Sequence, residues 1–234
     1  MSSRLQAGTA FAVSLAWCGV VSAADVPGYS KEAVVIQDVA TKISFAADGS
    51  RERQQTLSVR IQTESAVRQY GVLAFSYGSA SEQIKIDYVR VRKADGSVVE
   101  TPESNGLDVA SEVAIAAPMY RDIRQKQIPV KALGVGDVLE YSIQISQRTP
   151  EVAGQFWYDQ TFIDDSVVLN ETLEMRVPKE KYVQVSSPKL KPEIRDEGDV
   201  RVYLWKHSHL EPSAPSDKKL ITESEPARVQ LTTF

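Results

Sequence analysis

The chain has 234 residues, 27 of them basic and 31 acidic, and a net charge of −4 at neutral pH. An acidic balance argues against nucleic acid or anionic lipid as a general partner, and a hydrophobic content of 42% excludes a disordered chain. A single cysteine, Cys18, excludes an internal disulfide, and with only two histidines, His207 and His209, few soft metal ligands remain.

Residues 1–23 have the three parts of a secretion signal. Arg4 supplies the positive n-region, the uncharged stretch Ala7 to Val21 forms the h-region, and small residues precede the first acid in Val21-Ser22-Ala23-Ala24-Asp25. Cleavage is expected after Ala23, which would remove Arg4 and Cys18 and leave 26 basic against 31 acidic residues. An uncleaved anchor is the competing reading, because Leu5 to Ala24 carries no charge. Gly8, Thr9, Ser14 and Ser22 make that stretch weakly apolar and favour cleavage. Lipidation at Cys18 would want a small residue before it, and Trp17 stands there. The product is therefore expected to be periplasmic or secreted and to carry no thiol nucleophile.

Beyond Asp25 the dominant period is two. Residues 24–44 read as an N-terminal extension or first strand, and a β-sandwich domain is expected over 45–211. Leu57, Val59 and Ile61 alternate with Ser58, Arg60 and Gln62, and Ser65 to Leu73 could form a short helix. Ile84, Ile86 and Tyr88 alternate with Lys85 and Asp87, and the apolar phase then moves to Val89 and Val91, which predicts a bulge. Leu139, Tyr141, Ile143 and Ile145 share one strand face, as do Leu169, Leu173, Met175 and Val177. Asp48-Gly49, Asp95-Gly96, Gly134-Val135-Gly136-Asp137 and Glu197-Gly198-Asp199 supply the turns between them. About eight short strands with regular turns read as an all-β, antiparallel sandwich with little helix. Residues 212–234 read as a proline-rich linker or terminal arm, although Val229 to Phe234 becomes strand-like again.

Few residues invite chemistry. His207 and His209 lie two apart on a strand and so face the same way, but lack the third ligand that a stable metal site needs, and a solvent-side pair near Trp205 is the ordinary account. Asp159, Asp164, Asp165 and Glu171 could supply paired carboxylates for glycoside hydrolysis. Adjacent strand residues point to opposite faces, so Asp164 and Asp165 do not easily oppose one another, and a polar turn explains them as well. Phe156-Trp157-Tyr158 could line a sugar or peptide groove, or simply pack in the core. Arg121, Asp122, Arg124 and Lys126 read as a solvated polar strand or an interaction face. No Gly-x-Ser-x-Gly elbow or phosphate-binding glycine loop occurs. An outer-membrane barrel is disfavoured, since Thr232 and Gln230 hold the positions in phase with Phe234 where apolar residues belong.

The segment Ala117-Pro118-Met119-Tyr120-Arg121-Asp122-Ile123-Arg124, followed by Leu133-Gly134-Val135-Gly136-Asp137-Val138-Leu139-Glu140-Tyr141, resembles the domain of unknown function 3857. Lys93 to Val98, Phe156-Trp157-Tyr158, Val177-Pro178 and Tyr203-Leu204-Trp205 fit in order, so the resemblance covers about residues 45 to 234. It implies a β-sandwich of immunoglobulin-like general architecture, found ahead of transglutaminase-like domains in exported bacterial proteins, with no established activity of its own. The expected partner is accordingly a transglutaminase-like or protease-like protein or domain. No catalytic, cofactor-binding or metal-binding residue is implied, nor any cofactor. The alternative is a carbohydrate-active or glycan-binding sandwich using the Trp157/Asp164 region.

Overall fold

The computed structural model describes residues 28–117, 119, 121–212 and 225–234. The expected signal segment with Cys18, and the proline-rich residues 213–224, lie outside the described residues. Strands dominate in chain order: β1 (Val34–Phe45), β2 (Arg51–Ile61), β3 (Val72–Gly78), β4 (Glu82–Arg92), β5 (Val98–Glu100), β6 (Leu107–Ala110) and β7 (Ile123–Pro129). They continue as β8 (Val138–Gln147), β9 (Trp157–Thr161), β10 (Val168–Pro178), β11 (Gln184–Ser186), β12 (Glu193–Glu197), β13 (Val200–His209) and β14 (Arg228–Thr232). Among the described residues two short α-helices, α1 (Glu64–Tyr70) and α2 (Glu112–Ala116), and one 3-10 turn, Glu103–Asn105, interrupt them.

Eight strands form one sheet in the order β12-β13-β10-β1-β2-β8-β4-β5, and two three-stranded sheets, β3-β7-β6 and β11-β14-β9, pack on it. The chain is thus an all-β sandwich. Its strand pairs are antiparallel except for β1 and β10, which run parallel. Register carries one apolar face across the large sheet: His207 opposes Glu171, which neighbours Val39, then Leu57, Tyr141 and Val89. A bulge in β1 at Gln37 brings Ile36 and Val39 onto this face, and the predicted bulge at Asp87 does the same for Ile86 and Val89.

Two cores lie side by side on that face. The first gathers Val59, Ile61, Val91, Leu139, Ile143 and Ile145 beneath Leu73 of β3 and Ile128 of β7. The second gathers Ile43, Phe45, Leu173, Met175, Tyr203 and Trp205 beneath Phe156, Phe162, Val229 and Leu231. Between them β2 turns Arg51, Arg53 and Gln55 inward, all half-buried, where Phe45, Ile43 and Thr41 stand on one side and Gln147, Ile145 and Ile143 on the other.

Local chemistry explains the turns. Gly49 has φ +93°, and a Cβ there would come within 2.5 Å of the Gln155 carbonyl oxygen, so the β1–β2 hairpin needs glycine. At the β7–β8 turn Gly136 has φ +89° and donates its amide to Ile61 O at 2.7 Å. Asp137, 3% exposed, accepts from Gly134 N at 2.7 Å and from Lys93 Nζ at 2.5 Å, while Lys93 also donates to Ala132 O at 2.8 Å. Two sequence blocks some forty residues apart are thereby pinned together. The predicted short helix is α1, capped by Thr63 Oγ1 accepting from Ala66 N at 3.2 Å. It stops at Tyr70 rather than Leu73, because Val72 and Leu73 enter β3 and Leu73 reaches the first core.

The expected boundary between domain and terminal arm at 211/212 cuts through the sandwich. β14 is the central strand of its sheet, paired with β9 and β11, and Val229 and Leu231 are 0% and 1% exposed. Their alternation buries two aliphatic side chains over Trp205 and Met175, so the last strand completes the second core. β1, placed by sequence as an extension or first strand, sits in the middle of the large sheet.

Two stability measurements check this reading. Leu231→Ala is expected to lower the unfolding free energy by about 2 to 5 kcal/mol, as for other buried leucines. Asp137→Ala leaves the Gly134 amide without its acceptor and removes the buried partner of Lys93, and a loss of about 1 to 3 kcal/mol is expected in denaturant titration.

Candidate functional site

The carboxylates suggested by sequence do not converge. On β9, Trp157, Asp159 and Thr161 are exposed on the outer surface of the β11-β14-β9 sheet, while Tyr158 and Gln160 are half-buried. Asp159 is bound by its neighbours: Arg228 Nε donates to both carboxylate oxygens at 2.8 and 2.9 Å, and Gln230 Nε2 donates at 2.9 Å. The Arg228 guanidinium holds the Asp159 carboxyl below its ordinary range. Asp164 and Asp165 are exposed in the turn between β9 and β10. Glu171 is buried on the inner face of the large sheet. A layer of sheet therefore stands between Asp159 and Glu171, and no groove carries both.

The aromatic triplet divides in the same way. Phe156 stacks on Phe45 in the second core, with ring centroids 4.2 Å apart and planes 13° apart. Trp157 alone faces out, 40% exposed, against the Phe234 ring at 5.7 Å and an interplanar angle of 50°. Rings inclined so steeply do not make the flat platform on which a sugar stacks. The polar run is structural too: Arg124 of β7 donates to Asp108 of β6 at 2.6 Å, and the Tyr77 hydroxyl of β3 donates to the same carboxylate. Close to this small sheet, Leu107 (64% exposed), Val113, Ile115 (73%) and Met119 (79%) leave apolar surface uncovered along β6, α2 and the segment after it.

An open cavity of about 410 Å³ lies at the β1–β2 turn end of the sheet, lined in part by Ser44, Arg51, Gln147 and Arg148. Arg51 is occupied by Glu82 at 3.0 Å. Among the described residues no group of three or more His, Cys, Asp or Glu side chains is arranged to hold a metal ion.

One cluster was missed by sequence reasoning. His207, expected on the solvent side, lies on the inner face with its side chain 14% exposed, and its ring packs against Phe162 at 5.1 Å. Its Nδ1 is 3.3 Å from Oε2 of Glu171, which is 3% exposed and also accepts from Ile163 N at 3.0 Å. Burial pushes Glu171 up from 4.5 to about 7, opposed by the Ile163 amide. Burial lowers His207, His209 adds to that, and Asp164 opposes it. The signal was available in the alternation, since Glu171 falls in phase with Leu169 and Leu173, and His207 with Tyr203 and Trp205. A bulge between Val168 and Glu171 keeps both of those side chains inward.

These features define an all-β sandwich whose glycine turns are set by backbone conformation. Residues 47–214 match the family described as Domain of Unknown Function with solved-structure structure (DUF3857), and the chain belongs to that family. No curated protein matches. Among solved structures, a Parabacteroides distasonis protein provisionally described as a protease aligns at 18% identity with a TM-score of 0.76, covering 86% of this chain and 40% of that one. An M1 zinc metallopeptidase from Deinococcus radiodurans aligns at 6% identity and TM-score 0.39, over 88% of this chain and 43% of its own. Its E323A mutant gives 7% and 0.40 over 88% and 43%. The chain thus spans well under half the length of these structures.

The Glu171 contacts are separable by substitution. Near pH 6, Glu171→Gln retains an acceptor for Ile163 N and is expected to cost less than about 1 kcal/mol, whereas Glu171→Ala leaves that amide unpaired beside a cavity and costs about 2 to 4 kcal/mol. Equilibrium unfolding of both variants measures the difference.

Proposed function

We propose that this chain is an exported, non-catalytic accessory module that docks or positions a protease-like or transglutaminase-like protein or domain. The observation that carries the reading is the dispersal of its acids: Asp159 is tied to Arg228 on one surface, Glu171 is buried beneath another, and among the described residues these two do not share a groove. Support comes from the Parabacteroides distasonis structure, in which the matching region is 40% of a longer chain provisionally described as a protease. The exposed apolar side chains Leu107, Val113, Ile115 and Met119, close in sequence along β6, α2 and the segment after it, are the contact surface this reading assigns. The carbohydrate alternative loses its footing with the inclined Trp157/Phe234 pair and the ion-paired Asp159.

The test is chemical cross-linking and mass spectrometry of the exported protein in its native cells, with Leu107→Glu/Ile115→Glu as the control. Capture of a protein with a peptidase or transglutaminase fold by the wild type, lost in the variant, is the expected result. Glycan binding by the isolated chain that depends on Trp157, or hydrolysis that depends on Asp159 or Asp164, would overturn the reading. Export itself is checked by intact mass, with the mature chain expected to begin at Ala24.

A further inference from the structure

The buried pair on β10 and β13 lies where the two cores meet. Ile163, whose amide Glu171 holds, packs against the first core, while its neighbour Phe162 belongs to the second. The β9–β10 connection therefore crosses from one core to the other with Glu171 as its anchor. The groups facing the pair can be named element by element. From β13 comes His209 and from the connection Asp164; further off, Asp165 acts on Tyr70 of α1, and Tyr70 and Arg53 of β2 act on Tyr141 of β8. β1 contributes Val39 and Thr41, which do not titrate. Tyr141 is pushed up to about 12 by burial, so both tyrosines stay neutral in the relevant range. Among the described residues no lysine or arginine is paired with Glu171, and an isolated carboxylate at such a depth is strongly disfavoured.

We propose that Glu171 and His207 form a neutral carboxylic acid–imidazole pair holding one proton, and that this pair keeps the anchor of the β9–β10 connection insensitive to mild acid. Glu171 Oε2–H donates to Nδ1 of His207 while the same oxygen accepts from Ile163 N, and His207 carries its own proton on Nε2. On folding, the proton leaves the imidazolium and joins the carboxylate, so nothing is taken from or released to solvent.

The signs follow from the four protonation states. Around pH 6 the unfolded chain has a carboxylate and an imidazolium, and the folded chain an acid and, with His207 lowered by burial, a neutral imidazole; both hold one proton, and stability from the pair is flat there. Above 6.5 the unfolded chain loses its proton first, since Glu171 keeps its own to about 7, and stability falls as pH rises across that interval.

Separating the pair exposes opposite slopes. In His207→Gln the lone acid must ionise, so the unfolding constant is expected to rise by on the order of a hundredfold from pH 4.5 to 7. In Glu171→Gln the lone imidazole resists protonation, and the unfolding constant falls as pH rises towards 6.5. Urea titrations across pH 4 to 8, each referred to the double variant so that other groups cancel, read these slopes, with the wild type flatter around pH 6 than either single variant. The protection of the Ile163 amide should follow the same pattern. Nitrogen-15 NMR of the wild type decides the matter independently of whether the variants fold: at pH 6, His207 is expected as the neutral Nε2–H tautomer with Nδ1 accepting. An imidazolium signature at that pH, or a wild-type slope equal to that of either single variant, would overturn the proposal.

Discussion

The eight-stranded sheet carries its apolar side chains on one face, and that face is too wide for a single small cover. At about 4.8 Å per strand it spans roughly 34 Å, whereas three strands span roughly 10 Å. Two three-stranded sheets therefore share the task, one over β2, β8 and β4 and the other over β1, β10 and β13. The opposite face is largely polar, with Glu140 paired to Arg90 and Arg92, and Glu174 to Arg176 and Arg195, although Val35 and Val202 are buried there.

Having two covers creates a boundary, and the boundary holds the unusual chemistry. Arg51, Arg53 and Gln55 face inward along β2 where neither cover reaches fully. Further along the same face, Glu171 and His207 occupy positions that would be aliphatic in a uniform core. A buried acid beside an imidazole contributes little net stability compared with well-packed apolar residues. What Glu171 does supply is a fixed acceptor for the Ile163 amide, and so a defined path for the chain crossing between cores. Lys93 and Asp137 perform the corresponding task at the other end, fixing the turn that starts β8.

Much of this was legible in the residues. The period-two runs, the four glycine turns and the bulge at Asp87 are local features, set by alternation and by positive φ, and local features are what a single sequence expresses most clearly. The DUF3857 membership rested on the Met119–Asp122 and Gly134–Tyr141 blocks, and the structure gives the second block a physical role through Asp137. The division into one wide sheet and two covers was not legible, because it depends on β1 pairing in parallel with β10 across more than a hundred residues. The same distance hid the role of Val229 and Leu231, since their partners Trp157 to Thr161 lie some seventy positions earlier. The Glu171–His207 cluster went unseen for another reason: each residue was weighed for metal or hydrolytic chemistry, and neither was weighed as an interruption of an inward-facing row.

The central claim is that both covered halves form one cooperative unit, joined through β1, β2 and β10 and completed by β14. Native-state amide hydrogen exchange tests it most directly. The account predicts that Val229 and Leu231 exchange only through the same global opening as Leu139 and Ile143, with equal free energies of opening and equal denaturant dependence. Exchange of Val229 and Leu231 through a separate opening of much lower free energy, while Leu139 and Ile143 remain protected, would contradict it.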